Sequence, residues 1–199
     1  MKSILISIQP KWCELIASGK KTVEVRKSKP KLETPFKCYI YATKPKKYYK
    51  VSEHLATSDE SLYLAKGKVQ MCNGFEFWAE GVEYEFLSGK VIGEFVCDTI
   101  HNIKIEEDFE TGASSWECGY YADEDCLSME EFEAYLKKGL GYGWHISDLV
   151  IYDKPKVLSE FFKACDKPKG TDCSLCVDRR ENKCKSITRP PQSWCYVEE

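Results

Sequence analysis

The stretch Gly19-Lys20-Lys21-Thr22-Val23-Glu24-Val25-Arg26 marks a change from a helical to an extended pattern. Before it, apolar residues recur at helical spacing over Pro10–Ser18, and Gly19 is the residue type that ends helices in a left-handed conformation. After it, apolar and polar residues alternate, which predicts a strand over Thr22–Arg26 with its valines facing a core. The polar residues then share the other face, with a lysine at the strand's start: Lys21, Thr22, Glu24 and Arg26.

This polar face supports two interpretations. In the first it is a site, where Lys21 stabilises negative charge, Glu24 activates water or orients Lys21, and Arg26 holds a phosphate. In the second it is a solvated strand face, on which Glu24 forms a surface ion pair worth under about 1 kcal/mol. The local pattern leaves both interpretations open.

Read as G-x-K-x-x-E-x-R after an amphipathic helix, the stretch resembles the signature of the ASCH domain family, a branch of the PUA-like proteins. Four more segments occur in the order typical of that family: 4–8, 36–45, 90–95 and 144–148. The resemblance covers about residues 1–155 and implies an α+β fold, a PUA-like mixed β-barrel with flanking helices. It also implies that RNA or a modified nucleoside binds in a cleft beside the signature strand.

The resemblance implies several activities. Some members hydrolyse acetylated cytidine, and at least one is ribonuclease-like. Lys21 matches the lysine of the amidohydrolase branch, whereas Glu24 stands where that branch has a threonine, and Thr22 offers a hydroxyl on the same face. His145 is placed to reach the cleft, where an imidazole shuttles protons near neutral pH, although histidines at strand edges commonly bond only to backbone. Hydrolysis, non-catalytic recognition of a modified base, and a protein-interaction module remain alternatives.

Charge is distributed unevenly along the chain. Residues 1–50 contain 13 Lys and Arg against 3 Asp and Glu, whereas residues 76–133 contain 2 basic and 17 acidic residues. Basic residues interleaved with aromatic rings are typical of surfaces that hold phosphates while bases stack. The candidate ligand-binding residues are Trp12, Lys20, Arg26, Tyr41 and Lys44. A pI near 5.8 argues against duplex DNA as a ligand, because duplex binding depends on many phosphate contacts.

The 199 residues predict one domain with an extension. The domain spans 1–155 with an insertion at about 50–89, where Asn73-Gly74 predicts a hairpin turn. The predicted strands are 5–8, 22–26, 36–43, 91–100 and 146–152. Ser128 and Glu131 form a capping-box pattern at the start of a second helix, which Gly139 is expected to end.

A loop-rich, cysteine-rich extension follows at 156–199. It contains Cys165-x7-Cys173-x2-Cys176-x7-Cys184, and Cys-x-x-Cys spacing presents two thiolates to one tetrahedral ion. We therefore expect structural zinc on these four cysteines, with reduced thiols or a disulfide as alternatives and Cys195 as a competing ligand. The segment 189–196, rich in proline and aromatic residues, is expected to dock on the domain.

No segment has the roughly 18 to 20 continuous apolar residues that a membrane-spanning helix needs, and the N-terminus does not resemble a secretion signal. We therefore expect a cytoplasmic protein without a membrane partner. In that compartment cysteines stay reduced unless they bind a metal, so isolated ones such as Cys13, Cys38, Cys72 and Cys97 are expected to be buried small hydrophobic residues.

Overall fold

The computed structural model describes residues 2–44, 65–66, 70–72, 75–77, 85–86, 88–107, 114–118, 126–137, 140–164, 176–178, 183–184 and 186–198. The helices are α1 (Pro10–Ala17) and α2 (Met129–Leu136), with a 3-10 turn at Leu158–Glu160. The strands are β1 (Lys2–Ile8), β2 (Val23–Arg26), β3 (Phe36–Ala42), β4 (Ala65–Lys66), β5 (Gln70–Cys72), β6 (Phe75–Phe77), β7 (Glu85–Phe86), β8 (Val91–Cys97), β9 (Ile100–Glu107), β10 (Ser114–Cys118), β11 (Leu140–His145), β12 (Ser147–Lys156), β13 (Phe162–Lys163), β14 (Cys176–Asp178), β15 (Lys183–Cys184) and β16 (Trp194–Glu198).

The expected α+β class is confirmed. The described strands form one six-stranded sheet, one four-stranded sheet and three two-stranded sheets. Within these described strands no sheet closes on itself, so the architecture consists of open mixed sheets rather than a closed barrel. The strand predicted over 91–100 is broken at Asp98 and Thr99, where the chain passes from β8 to β9.

Two compact units divide the chain, and the first comprises 1–14, 37–94 and 150–199. Its sheet has the order β12-β8-β3-β1-β16-β13. β1 lies parallel to β3 and antiparallel to β16, so that Leu5 has Tyr39 on one side and Cys195 on the other. Every residue of β1 after Lys2 is buried, as expected for a nearly continuous apolar run in the middle of a sheet.

One hydrophobic cluster forms the core of this first unit. The rings of Tyr39 and Phe161 meet edge to face, with centroids 4.9 Å apart. The buried members of the cluster are Leu5, Tyr39, Tyr41, Val91, Phe161, Ile187 and Val197. Three of them come from residues 156–199, so the segment expected as an extension contributes to the core of this unit.

The C-terminal strand β16 lies between β1 and β13, which places residues 194–196 of the predicted docking segment inside the sheet. Just before it, the Ser7 amide donates to the Ser193 carbonyl at 2.8 Å, and the Ser7 hydroxyl donates to the Pro191 carbonyl at 2.7 Å. The rings of Trp194 and Tyr196 meet edge to face at 5.5 Å. The C-terminal segment therefore docks by backbone pairing of all five residues of β16 with β1.

The second unit comprises 15–36 and 95–149, and its sheet has the order β10-β9-β11-β2. Helix α2 begins with the predicted capping box, in which the Ser128 hydroxyl accepts from the Glu131 amide at 3.2 Å and the Glu131 carboxylate accepts from the Ser128 amide at 3.2 Å. The helix ends earlier than expected, because Lys137 adopts the left-handed cap conformation with φ 51°. Gly139, the predicted stop, lies outside the described residues.

Helix α2 packs on the apolar face of this sheet, where Phe132 and Leu136 join Val25 and Ile103 in a buried cluster. The approach is close at Gly141, because a Cβ atom there would lie 2.6 Å from a methyl carbon of Leu136. The helix thereby covers this face of the sheet at β2, β9 and β11.

The insertion contains short paired strands. β5 and β6 pair with Cys72 opposite Phe75, so they flank the predicted turn at 73–74, which lies outside the described residues. Strand β4, which precedes β5 in the sequence, pairs with strand β7, which follows β6. In the described part of the chain both helices have eight residues, too few for either to cross a membrane.

Candidate functional site

The loop after α1 delivers Lys20 and Lys21 to the start of β2. Gly19 has φ +73°, as the helix-stop pattern predicted, and its amide bonds to the Ile16 carbonyl at 2.9 Å. The amides of Lys20 and Lys21 both bond to the Leu15 carbonyl, at 2.9 and 3.0 Å. This left-handed C-terminal turn holds the backbone of the two lysines against the helix end.

The register of β2 against β11 decides which side chains share a face. Glu24 lies opposite Trp144, and Arg26 lies opposite Tyr142. Directly opposed residues in an antiparallel pair project to the same face, while their neighbours project to the other. Val25 accordingly lies in the cluster under α2, and Glu24 and Arg26 project away from it, as the alternation predicted.

The charged head groups come together as the sequence predicted. The Lys21 Nζ atom lies 3.6 Å from Glu24 Oε2, and an Arg26 terminal nitrogen lies 2.9 Å from Glu24 Oε1. Their side chains are only 2%, 7% and 8% exposed for Lys21, Glu24 and Arg26, respectively. The interpretation as a solvated strand face is therefore wrong. We call these three residues the charged cluster.

In the charged cluster two cations flank the carboxylate of Glu24. Removing charges from water is unfavourable unless partners compensate, and breaking a buried pair by removing one partner is strongly destabilising. Both Glu24 oxygens are engaged, one by each cation. The carboxylate is thus placed to orient the amine of Lys21 and the guanidinium of Arg26.

Tyr135 of α2 contacts the charged cluster through its hydroxyl, which Arg26 hydrogen-bonds. Burial raises the pKa of Tyr135, and this effect outweighs the opposing influence of the Arg26 guanidinium. The Lys27 Nζ atom lies 4.9 Å from the centre of the same ring. Helical spacing places Tyr135 on the same side of α2 as Phe132 and Leu136, and it carries no signal of the hydroxyl contact.

Trp144 is the other residue of this neighbourhood that sequence reasoning did not assign to the site. It is fully buried, and its ring meets that of Phe36 edge to face at 5.8 Å. Its position opposite Glu24 places a rigid aromatic wall on the same face as the charged cluster. The sequence singles out the segment 144–148, which contains Trp144. It does not show that Trp144 pairs with Glu24 across two strands.

The structure does not bring His145 to the charged cluster. His145 lies opposite Val23, so it projects to the other face of the sheet from Glu24. Its Nδ1 atom lies 2.7 Å from a carboxylate oxygen of Asp98, and both side chains are more than one third exposed. The expectation that His145 reaches the cleft is wrong, because successive residues of a strand project to opposite faces of the sheet and His145 follows Trp144 directly. Thr22 is half-buried, and its carbonyl accepts from the Ile146 amide at 2.8 Å.

The remaining expected ligand contacts divide between the two units. Lys20 belongs to the second unit and is exposed, and its carbonyl accepts from the Cys126 thiol at 3.3 Å. In the first unit, Trp12 has the Lys11 Nζ atom 4.1 Å above its ring. Tyr41 is only 4% exposed in the hydrophobic cluster, and burial raises the pKa of Tyr41. Its ring is therefore a core residue of its unit.

Lys44 and Glu94 also have partners within the first unit. The aliphatic chain of Lys44 lies over Gly89, where a Cβ atom would come 2.3 Å from Lys44 Cε. Glu94 receives a hydrogen bond from the Tyr152 hydroxyl and lies 3.3 Å from Lys37 Nζ. These contacts fix both side chains locally.

The zinc site expected from the sequence involves four C-terminal cysteines. Among the described residues, no group of three or more His, Cys, Asp or Glu side chains is arranged to hold a metal ion. Cys165 and Cys173 lie outside the described residues, and Cys176 and Cys184 are described by their backbone positions in β14 and β15. Cys13, Cys38 and Cys97 are fully buried, as expected for isolated cysteines.

Comparison with known proteins gives one family and one fold. The profile of the ASCH domain matches residues 6–153. The chain is similar to the crystal structure of ASCH from Zymomonas mobilis, with 19% identity and a TM-score of 0.50 over 99% of this chain and 88% of that one. A tyrosine-to-phenylalanine variant of the Zymomonas mobilis protein gives 19% identity and a TM-score of 0.51, over 100% and 92%. A serine-to-alanine variant gives 18% and 0.50, over 99% and 89%. No curated protein has a significantly similar sequence.

Proposed function

The chain belongs to the ASCH domain family, and we propose that it binds RNA or a modified nucleoside at the charged cluster of Lys21, Glu24 and Arg26. The observation that carries this proposal is the engagement of both Glu24 oxygens by two buried cations. That arrangement orients an amine and a guanidinium, the donor groups that bind phosphates and base acceptors. Phosphate oxygens and the acceptor atoms of base edges are the ligand groups that such donors bind.

The residue types suit this ligand class. The planar guanidinium of Arg26 presents several donors that match phosphate oxygens, whereas the amine of Lys21 acts as a point charge. β2 is the edge strand of its sheet in the described part of the chain, so a ligand can approach without displacing a neighbouring strand. The excess of basic residues over 1–50 favours an anionic ligand over a neutral one.

Recognition without turnover is the function that the geometry supports best. Each carboxylate oxygen of Glu24 contacts one cation, which is the arrangement expected of a group that orients an amine and a guanidinium. The imidazole of His145 projects to the other face of the sheet. We therefore assign orientation of Lys21 and Arg26 to Glu24, rather than activation of water.

Hydrolysis of acetylated cytidine or of RNA is the second candidate. Thr22 favours it, because this half-buried hydroxyl residue lies directly between Lys21 and β2 in the chain. In that reaction Lys21 would stabilise the developing negative charge, and Thr22 would supply a hydroxyl next to it. Recognition and hydrolysis place the ligand at the same residues and differ in whether it is converted.

One experiment separates the two candidates. The purified chain is incubated with acetylated and methylated nucleosides and short RNAs, and both retained ligand and products are identified by mass spectrometry. Retention of an unchanged ligand supports recognition, and conversion supports hydrolysis. Lys21→Ala removes the amine yet leaves Glu24 paired with Arg26, so we expect a folded protein that loses either signal by at least about tenfold, since a charge-assisted contact contributes about 1.5–3 kcal/mol.

The matched control is Lys29→Ala, which removes the same charge from an exposed position beside Tyr142. Its binding or turnover should stay within about twofold of the original chain, because exposed charges contribute little. A folded protein that neither retains nor converts any ligand of the panel would overturn the proposal. Equal losses of binding or turnover in Lys21→Ala and Lys29→Ala would also overturn it, because they would show that the effect depends only on the net charge of the protein.

A further inference from the structure

We propose that the rings of Phe162, Trp194 and Tyr196 form a surface on which the bases of a single-stranded nucleic acid stack, while the Arg189 guanidinium contacts its phosphates. These four residues are called the aromatic edge, and all of them belong to the first unit. The proposal adds a second ligand contact to the chain and does not depend on the ligand of the charged cluster.

The strand register places the three rings on one face of the six-stranded sheet. Trp194 and Tyr196 alternate along β16 with Val197, which belongs to the hydrophobic cluster, so both rings project to the other face. On β13, Phe162 lies directly opposite Glu198 of β16. Because opposed residues share a face, and Glu198 follows Tyr196 by two positions, Phe162 projects to the same side as the other two rings.

This face becomes accessible toward the edge of the sheet. Ile4 and Ile6 of β1, which lie opposite Tyr196 and Trp194, are fully buried. Trp194 and Tyr196 on the next strand are half-buried. Phe162, on the last of the described strands of this sheet, is 37% exposed. Solvent therefore reaches the rings at the edge, and the core begins one strand further in.

The apolar side chains that β13 and β16 contribute to this face are all aromatic. The rings of Trp194 and Tyr196 meet edge to face with centroids 5.5 Å apart, which fixes their mutual orientation. The cross-strand neighbour of Tyr196 is the small residue Ala164, whose amide bonds to the Tyr196 carbonyl at 3.1 Å. Aromatic rings on an accessible sheet face are the groups on which unpaired bases stack. The composition of this face therefore suits a single strand.

Arg189 adds a cation on the N-terminal side of Trp194. Its side chain is exposed and forms no ion pair with any residue that the structure describes. The two prolines that follow restrict the backbone, and the Ser7 hydroxyl donates to the Pro191 carbonyl at 2.7 Å. The guanidinium is thus attached to an anchored segment, and guanidinium donors match phosphate oxygens.

The acidic side chain that β16 contributes to this face lies at the end of the strand away from Arg189. Glu198 ends β16 and has Lys2 of β1 directly opposite. Opposed residues of opposite charge attract each other, so this carboxylate has a cation beside it. Flat rings next to a guanidinium favour a nucleic acid over a protein partner, because they match both parts of a nucleotide, the base and the phosphate.

The test follows binding of a labelled oligothymidylate of about twelve nucleotides to the full chain by fluorescence anisotropy at low salt. This probe has no 2′-hydroxyl, so ribonuclease chemistry does not consume it. Phe162→Leu keeps an apolar side chain but removes a ring, and it should weaken binding at least about fivefold, since each base stack contributes that much or more. The control Val157→Ala alters another exposed apolar residue of the first unit and should stay within about twofold. Equal binding by both variants would overturn the proposal.

Arg189→Ala tests the phosphate contact. The slope of the logarithm of the association constant against the logarithm of the salt concentration should become shallower by about 0.7, the contribution of one phosphate contact to a single strand. Lys154→Ala removes one positive charge from another exposed position of the first unit and should leave the slope unchanged. The same change of slope in both variants would overturn the proposed contact.

The Lys21→Ala background separates the aromatic edge from the charged cluster. Phe162→Leu should weaken oligothymidylate binding by the same factor in the original chain and in Lys21→Ala. If the effect of Phe162→Leu disappears in Lys21→Ala, the probe binds at the charged cluster and the proposal is overturned. Retention of nucleosides by the charged cluster is a separate measurement, so failure of either proposal leaves the other standing.

Ultraviolet cross-linking of the original chain to the same probe covers the case in which a variant does not fold. Mass spectrometry of the cross-linked peptides should identify Phe162, Trp194 or Tyr196. Cross-links confined to other residues, or no binding at protein concentrations up to about 100 μM, would overturn the proposal. Dimers in sedimentation that Phe162→Leu dissociates would also overturn it, because a second copy of the chain would then occupy this face.

Discussion

Glu24→Gln tests whether the charged cluster is a buried electrostatic unit. Glutamine keeps the size of the side chain but removes the negative charge that both cations share. The Glu24 side chain is 7% exposed, with its oxygens 2.9 Å from Arg26 and 3.6 Å from Lys21. The two buried cations would then lose the carboxylate that lies beside both of them.

The expected loss follows from that burial. Removing one partner of a buried ion pair costs about 3–5 kcal/mol, whereas a surface pair contributes about 0–1 kcal/mol. For a chain of this size each 1 kcal/mol lowers Tm by about 2–4 °C. We therefore expect the free energy of unfolding of Glu24→Gln to fall by about 3 kcal/mol or more and Tm to fall by at least about 6 °C.

Urea unfolding followed by fluorescence and circular dichroism measures this loss. Glu33→Gln is the control, because Glu33 is exposed and its loss should change stability by no more than about 0.5 kcal/mol. The double variant Lys21→Met/Glu24→Gln also removes one of the two cations. Its free energy of unfolding should therefore fall by less than the sum of the falls in the two single variants. A Glu24→Gln loss below about 1 kcal/mol would refute the reasoning, because it would make Glu24 equivalent to a surface group.

Three further predictions concern stability. Ser128→Ala removes the capping-box hydroxyl and should cost about 1 kcal/mol in chemical unfolding, and an unchanged midpoint would contradict the cap. Gly93→Ala would place a Cβ atom 2.4 Å from the Val150 carbonyl oxygen, so we expect a loss of about 3 kcal/mol, larger than the roughly 1–2 kcal/mol for Gly19→Ala, which has open space but φ +73°. The reverse order would show that backbone conformation matters more than close packing. Burial raises the pKa of Cys97 from 9.0 to about 12, so stability should fall as pH rises through that range, and Cys97→Ala should flatten the slope measured by urea unfolding at several pH values. Equal slopes would contradict this assignment.

Local patterns in the sequence predicted the elements that depend on neighbouring residues. The left-handed Gly19 and the capping box of Ser128 and Glu131 each involve groups no more than four residues apart. The alternation in β2 likewise predicted that Glu24 and Arg26 share a face. These features depend on backbone geometry and side-chain contacts between residues close in the sequence, which local patterns specify.

Long-range pairing was not predictable in the same way. β16 pairs with β1, with Trp194 opposite Ile6, and no local property of a proline-rich segment specifies a central strand. The face of His145 depends on the register of β11 against β2, and a shift of one residue would have placed it beside Glu24. The Arg26 contact of the Tyr135 hydroxyl depends on how α2 packs, which helical spacing does not define.

A crystal structure of the chain with cytidine monophosphate or a short RNA tests the central claim most directly. The account predicts a phosphate oxygen or base acceptor within about 3.2 Å of Lys21 Nζ or the Arg26 guanidinium, with Glu24 still holding both cations. A ligand bound elsewhere, with the charged cluster unchanged and no ligand atom within about 6 Å of it, would contradict the account.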